Sequence, residues 1–107
     1  MIRIVEYADV LGRLPYSLWF KSLEATAAAK VARAVHRLAD GNFSNVKGVG
    51  AGVFERTIDF GPGYRVYFGK DGERVVILLG GSTKSRQSEA ISIAKARWWD
   101  YGNRKTI

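Results

Sequence analysis

Apolar and polar positions change their period several times along this chain, and each change marks an element. Residues 2–7 alternate and predict a short first strand. Gly12 breaks that pattern, and Pro15 suits a helical first turn, where its missing N–H removes no hydrogen bond. The helix it opens runs to about Leu23, with Trp19 and Leu23 four apart on one face. A second helix covers residues 25–40. On it Val31, Ala34, Val35 and Leu38 share an arc of about 100°, while Lys30, Arg33 and Arg37 gather on another arc as a basic ridge. Gly41 supplies the C-terminal stop.

Residues 42–52, with Gly48, Gly50, Gly52 and Lys47, read as a mobile loop. Three strands follow, over residues 53–60, 64–68 and 74–79. The third is apolar enough to be central and buried on both faces. Gly61-Pro62-Gly63 punctuates the first hairpin, and Asp71-Gly72 signals a type I′ turn in the second. After Gly80-Gly81 a last helix covers residues 85–101, with Ser85 as its N-cap and Ile91, Ala94 and Trp98 as its buried face. Trp99 adjoins Trp98 and cannot face the same way. The order β-α-α-β-β-β-α makes an α+β protein, and 107 residues make one domain over 1–107.

Charge changes this picture more than composition does. With 47% hydrophobic and 25% charged residues the chain is ordinary globular material, and no apolar run approaches the roughly 18 residues of a membrane span. The N-terminus lacks the pattern of a signal peptide, and the absence of cysteine excludes disulfides and thiolate chemistry, which fits a cytoplasmic protein. The net charge of +7 favours a polyanion or an acidic protein partner. It is spread over both halves of the chain, so a binding surface must be assembled by folding. For the ridge on the second helix the plain reading is a solvated face, and contact with RNA or a partner is the other.

Strand alternation assigns the candidate chemistry. In the second hairpin strand Tyr64, Val66 and Phe68 share one face and Arg65 and Tyr67 the other. The larger apolar set is expected to pack on the helices, which leaves Arg65, Tyr67, Glu55, Thr57 and Asp59 facing outward. Arg56 points inward beside Phe54, Ile58 and Phe60, and must snorkel or find a carboxylate. Lys84 and Arg86 stand where the last helix begins, and its free N–H groups suit a phosphate. Arg65, Lys84 and Arg86 are thus expected at one end of the sheet, next to Glu55 and Tyr67. The bland reading is a set of surface charges, with Glu55 salt-bridged to Arg65 or Arg56. His36 is the single histidine and lies on a polar helix side, so neither a histidine triad nor a histidine metal site is available, and no metal or cofactor is expected.

The runs Gly41-Asn42-Phe43, Gly61-Pro62-Gly63-Tyr64-Arg65-Val66-Tyr67 and Leu78-Leu79-Gly80-Gly81-Ser82-Thr83-Lys84-Ser85-Arg86-Gln87 resemble the "addiction module killer protein" branch of the RelE/HigB/ParE toxin superfamily. The likeness extends from about Tyr7 to Tyr101. It implies a RelE-like fold, a small, mostly antiparallel sheet packed on an N-terminal helical hairpin with a C-terminal helix. It also implies a ribosome-dependent, metal-independent mRNA endonuclease, masked by a cognate antitoxin of helix-turn-helix type. In such enzymes the ribose 2′-OH attacks the adjacent phosphate, and fixed cations stabilise the charge that builds on its oxygens. Arg65 matches the family arginine, and Lys84 the basic residue after the last core strand. Glu55 is the candidate acceptor of the 2′-OH proton, and Arg86, Tyr67, Lys47, Arg56 and Gln87 are candidate RNA contacts. RelE itself carries lysines where this chain has Glu55 and Thr57, and a tyrosine near Gln87, so the acid and base stay open. Two other readings remain: a ParE-like DNA gyrase inhibitor that acts by binding, and a non-catalytic adaptor for nucleic acid or protein.

Overall fold

The computed structural model describes residues 1–105. Its elements are β1 (Arg3–Glu6), α1 (Pro15–Lys21), α2 (Ala25–Ala39), β2 (Val46–Gly50), β3 (Val53–Ile58), β4 (Tyr64–Lys70), β5 (Val75–Thr83) and α3 (Gln87–Lys105), with a 3-10 turn over Lys84–Arg86 leading into α3. The five strands form one mixed sheet in the order β1-β5-β4-β3-β2, in which β1 runs parallel to β5 and the other pairs are antiparallel. The protein is therefore α+β, with three helices against a five-stranded sheet. No described helix is long and apolar enough to cross a membrane.

Two apolar layers hold it together. On one face Tyr16, Val31, Ala34 and Leu38 meet Ile58, Val66, Phe68 and Leu78. Burying a side chain such as Leu38 or Phe68 contributes about 1.5–3 kcal/mol. Both helices of the expected hairpin contribute to this layer, α1 lying mainly against β5 and α2 against β3. On the other face Tyr67, Ile77 and Leu79 meet Ala94, with Ile91 and Trp98 of α3 packed around them. Trp98 lies flat over Gly69, while Trp99 is exposed.

Four local expectations are corrected. The segment read as a mobile loop contains β2, because Val46 packs on one apolar layer and Val49 on the other, and a register shift between Gly48 and Gly50 hides their alternation. The strand expected to end at Leu79 continues to Thr83: Tyr67 pairs with Gly80 and Phe68 with Leu78, so a bulge at Leu79 re-aims the chain without ending the strand. Arg97 of α3 donates to the Leu79 carbonyl at 2.8 Å and satisfies that bulge. Asp71-Gly72 does not form a type I′ turn, since only Gly72 has positive φ, and Tyr101 and Lys105 hold the Asp71 carboxylate. Finally, Ser85 is not the cap of α3, which is entered through the 3-10 turn behind Thr83.

The Gly41 stop of α2 is seen directly. Gly41 takes φ +83°, its N–H donates to Leu38 at 2.9 Å, and Asn42 N–H donates to Arg37 at 2.9 Å. That double closure is a Schellman motif, and it fixes the C-terminal end of the basic ridge.

Candidate nucleic-acid interface

A cleft of about 760 Å³ lies between α2 and the β3–β4 hairpin. Six cations line it: Lys30, Arg33 and Arg37 from α2, Arg56 from β3, Arg65 from β4, and Lys84 from the turn before α3. Asp59 is the one carboxylate on its wall. A concave site with this imbalance concentrates a polyanion, because the low-dielectric walls focus the field.

The Gly61-Pro62-Gly63 turn closes one end of the cleft. Gly63 takes φ +81°, and a Cβ built there would lie 3.3 Å from the Lys84 Cβ and 3.5 Å from an Arg65 Nη1. Glycine thus lets the turn, Lys84 and Arg65 converge. Lys84 N–H donates to the Gly63 carbonyl at 3.0 Å, and Arg65 Nη1 donates to the Tyr64 carbonyl at 3.1 Å. Two residues expected at one end of the sheet are therefore together there, Lys84 tied through its backbone and Arg65 through its guanidinium.

Glu55 and Tyr67 are not on an open surface, contrary to the outward face expected for them. Their side of the sheet is covered by α3 and the turn before it, leaving Glu55 at 0% and Tyr67 at 1% exposure. The apolar face of α3 needed a surface to bury, and this was the free one. Glu55 accepts from Gln87 Nε2 at 2.8 Å, and its other oxygen faces Lys47 Nζ at 3.7 Å and Arg65 Nε at 3.8 Å. Tyr67 OH lies 3.2 Å from Ser82 Oγ. Burial pushes its pKa up to about 12, against the opposing hydrogen bond to Ser82. A phenol in that position cannot stack on a base. Gln87 is likewise occupied with Glu55, whereas Lys47, on β2 and mostly exposed, borders the cluster from outside.

Arg86 does not line the cleft; its exposed side chain sits 3.9 Å from that of Glu89. Arg56 is in the cleft, on the helix-facing side of β3 as the alternation predicts, with its Nη1 donating to the Thr57 carbonyl. Sequence reasoning left out Lys30, Arg33, Arg37 and Asp59 as site residues. The signal was present for the first three, since their spacing places them on one helix face, but nothing in the sequence says what that face looks at.

No known family model matches the chain. It is 42% identical over 83 residues to an uncharacterized protein of Haemophilus influenzae, across 77% of this chain and 84% of that one. The chain belongs to the same family as that protein.

Proposed function

We propose that this member of the family is an RNA-cleaving toxin of the RelE/HigB type, a metal-independent endoribonuclease acting on mRNA at the ribosome. The observation that carries the reading is the cleft with six cations and one carboxylate. A mostly antiparallel sheet with α1 and α2 on one face supports a RelE-like fold. A cognate antitoxin, of helix-turn-helix type by resemblance, neutralises the toxin.

The chemistry follows from the cleft. The 2′-OH oxygen forms a bond to the adjacent phosphorus, the bond from phosphorus to the 5′ oxygen breaks, and a cyclic phosphate and, once the leaving oxygen has taken a proton from water, a 5′-OH result. Negative charge grows on the non-bridging oxygens during this step. Arg65 and Lys84 supply the positive charge that stabilises it: the Arg65 guanidinium is bonded to the Tyr64 carbonyl, and the Lys84 backbone is anchored on Gly63. Glu55, enclosed beneath α3, is reassigned from proton acceptor to positioning residue: it holds the Arg65 guanidinium from behind. Asp59 is the carboxylate on the cleft wall, and we assign it the 2′-OH proton.

The test is primer extension on a reporter mRNA after brief induction of the wild type and of Arg65→Ala. Discrete breaks within translated codons for the wild type alone are the expected result. Intact mRNA together with growth arrest and DNA damage would overturn the nuclease reading in favour of gyrase inhibition. Intact mRNA without growth arrest would leave a binding adaptor.

A further inference from the structure

Arg56 is the unexplained charge of this fold. It stands on the apolar side of β3, in line with Phe54 and Ile58, and is 5% exposed. One guanidinium nitrogen donates to the Thr57 carbonyl, while its Nε is buried without any hydrogen-bond partner. No carboxylate among the described residues forms an ion pair with it. Its charged neighbour is instead Arg37, and burial followed by that like charge lowers its pKa below the usual arginine value. Arginine nevertheless keeps its proton. The cost of an unpaired buried cation therefore stays in the fold unless an anion arrives.

The surroundings repeat the theme. Arg33 and Lys30 enter the same cleft from α2, and neither forms an ion pair among the described residues; Lys30 lies over the Phe60 ring at 5.4 Å. Arg56 and Arg65 leave the sheet from opposite faces, since Arg56 pairs in register with Val66 and Arg65 with Thr57. The cations of the cleft thus come from both faces of the sheet, with Arg65 beside the Gly63 turn and Arg56 on the face that carries α2. The Arg56 guanidinium is buried with its Nε unpartnered, and its planar fork matches the oxygens of a phosphate.

We propose that Arg56, Arg37 and Arg33 form a phosphate-binding site distinct from Arg65 and Lys84, which takes a backbone phosphodiester of single-stranded RNA one or more nucleotides from the cut. Only the source of the phosphate rests on the RNA reading; the site itself does not. It seats the strand so that one particular linkage reaches Arg65.

Thermal unfolding of the full chain in inorganic phosphate, against chloride at equal ionic strength, tests the site. Wild type is expected to gain about 5 °C at ten times the dissociation constant. Arg56→Met should lose the phosphate-specific gain and unfold no earlier than wild type in chloride, because it removes an unpaired buried charge and keeps an apolar stem. Arg37→Gln, an exposed change that spares the core, should also reduce the gain. Equal phosphate stabilisation of all three proteins, or early unfolding of Arg56→Met in chloride, would overturn the proposal. A second arm measures binding of a 2′-O-methyl oligonucleotide, which cannot be cut, across a range of salt. Arg56→Met should make the slope of log affinity against log salt shallower by roughly 0.7, the value for one phosphate on a single strand. An unchanged slope beside a lost phosphate response assigns the site to free phosphate and overturns the RNA source. Neither arm reads cleavage, so failure here and failure of the nuclease are separable.

Discussion

Deleting the Glu55 carboxylate should expose how much the Arg65 guanidinium depends on it. The pair is buried on both sides, with Glu55 wholly enclosed and the Arg65 side chain 12% exposed. Breaking a buried pair by removing one partner costs about 3–5 kcal/mol, because the other charge stays desolvated. Here the cost belongs at the lower end. The pair meets at 3.8 Å without a hydrogen bond, and Arg65 keeps its bond to the Tyr64 carbonyl. Lys47 is mostly exposed and adds little. Glu55→Ala is therefore expected to lose about 3 kcal/mol, which at this chain length lowers Tm by about 12 °C. Arg65→Ala, leaving Glu55 buried, should lose a similar amount. The double variant should lose about 1–2 kcal/mol less than the two together, since the second deletion removes a group already orphaned. Urea unfolding of the four proteins at neutral pH measures the cycle. Strict additivity, within about 0.5 kcal/mol, would show that the two groups do not hold one another and would remove Glu55 from its positioning role.

Gly81→Ala would put a Cβ 2.3 Å from the Trp19 ring, where glycine has no unusual φ, so the loss measured by denaturation is pure overpacking of about 1–3 kcal/mol, and Trp19→Leu in the same chain should recover part of it. Burial raises Tyr67 and Tyr16 to about 12, so their neutral forms favour the fold: the contribution is complete below about pH 10 and falls by about 1.4 kcal/mol per pH unit and tyrosine between pH 10 and 12. Alkaline unfolding of Tyr67→Phe should accordingly show a shallower fall than wild type. At the acid end, Tyr7 and Arg104 lower the Asp100 pKa, and Lys105 and Tyr101 lower that of Asp71. Their contribution is present above the ordinary carboxylate range and disappears as pH falls through the lowered values, so Asp100→Asn should flatten the acid limb of stability followed by circular dichroism.

The elements that carry a clean period were legible. The apolar arc of α2, the Gly41 stop and the buried run of β5 each depend on contacts within one segment, and each appears near its expected place. The misses share a cause. Gly80 and Gly48 look like ends of structure because glycine has no side chain to continue an alternation, yet one follows a bulge and the other lies inside a strand. The burial of Glu55 and Tyr67 was hidden for a different reason. Alternation gives two faces but not which face a later helix will cover, and the polar content of that face argued for solvent. The sheet accepts α3 there because Tyr67, Ile77 and Leu79 give it enough apolar area, while Glu55 is tolerated through Gln87 and the two facing cations.

The same limit separates the readable half of the site from the unreadable half. Arg65 and Arg56 fall on opposite faces of adjacent strands, so any strand-by-strand reading assigns them to different regions of the molecule. They share a cleft because it wraps around the end of the β3–β4 hairpin, where both faces become accessible at once. The ridge of Lys30, Arg33 and Arg37 then acquires meaning only from the packing of α2 against β3, which turns the polar flank of the helix toward that end. An amphipathic helix with a basic flank would look the same in sequence had it packed with that flank in bulk water. What distinguishes the two cases is the buried Arg56: a surface that merely sheds charge into solvent has no reason to keep a guanidinium inside an apolar layer facing another arginine.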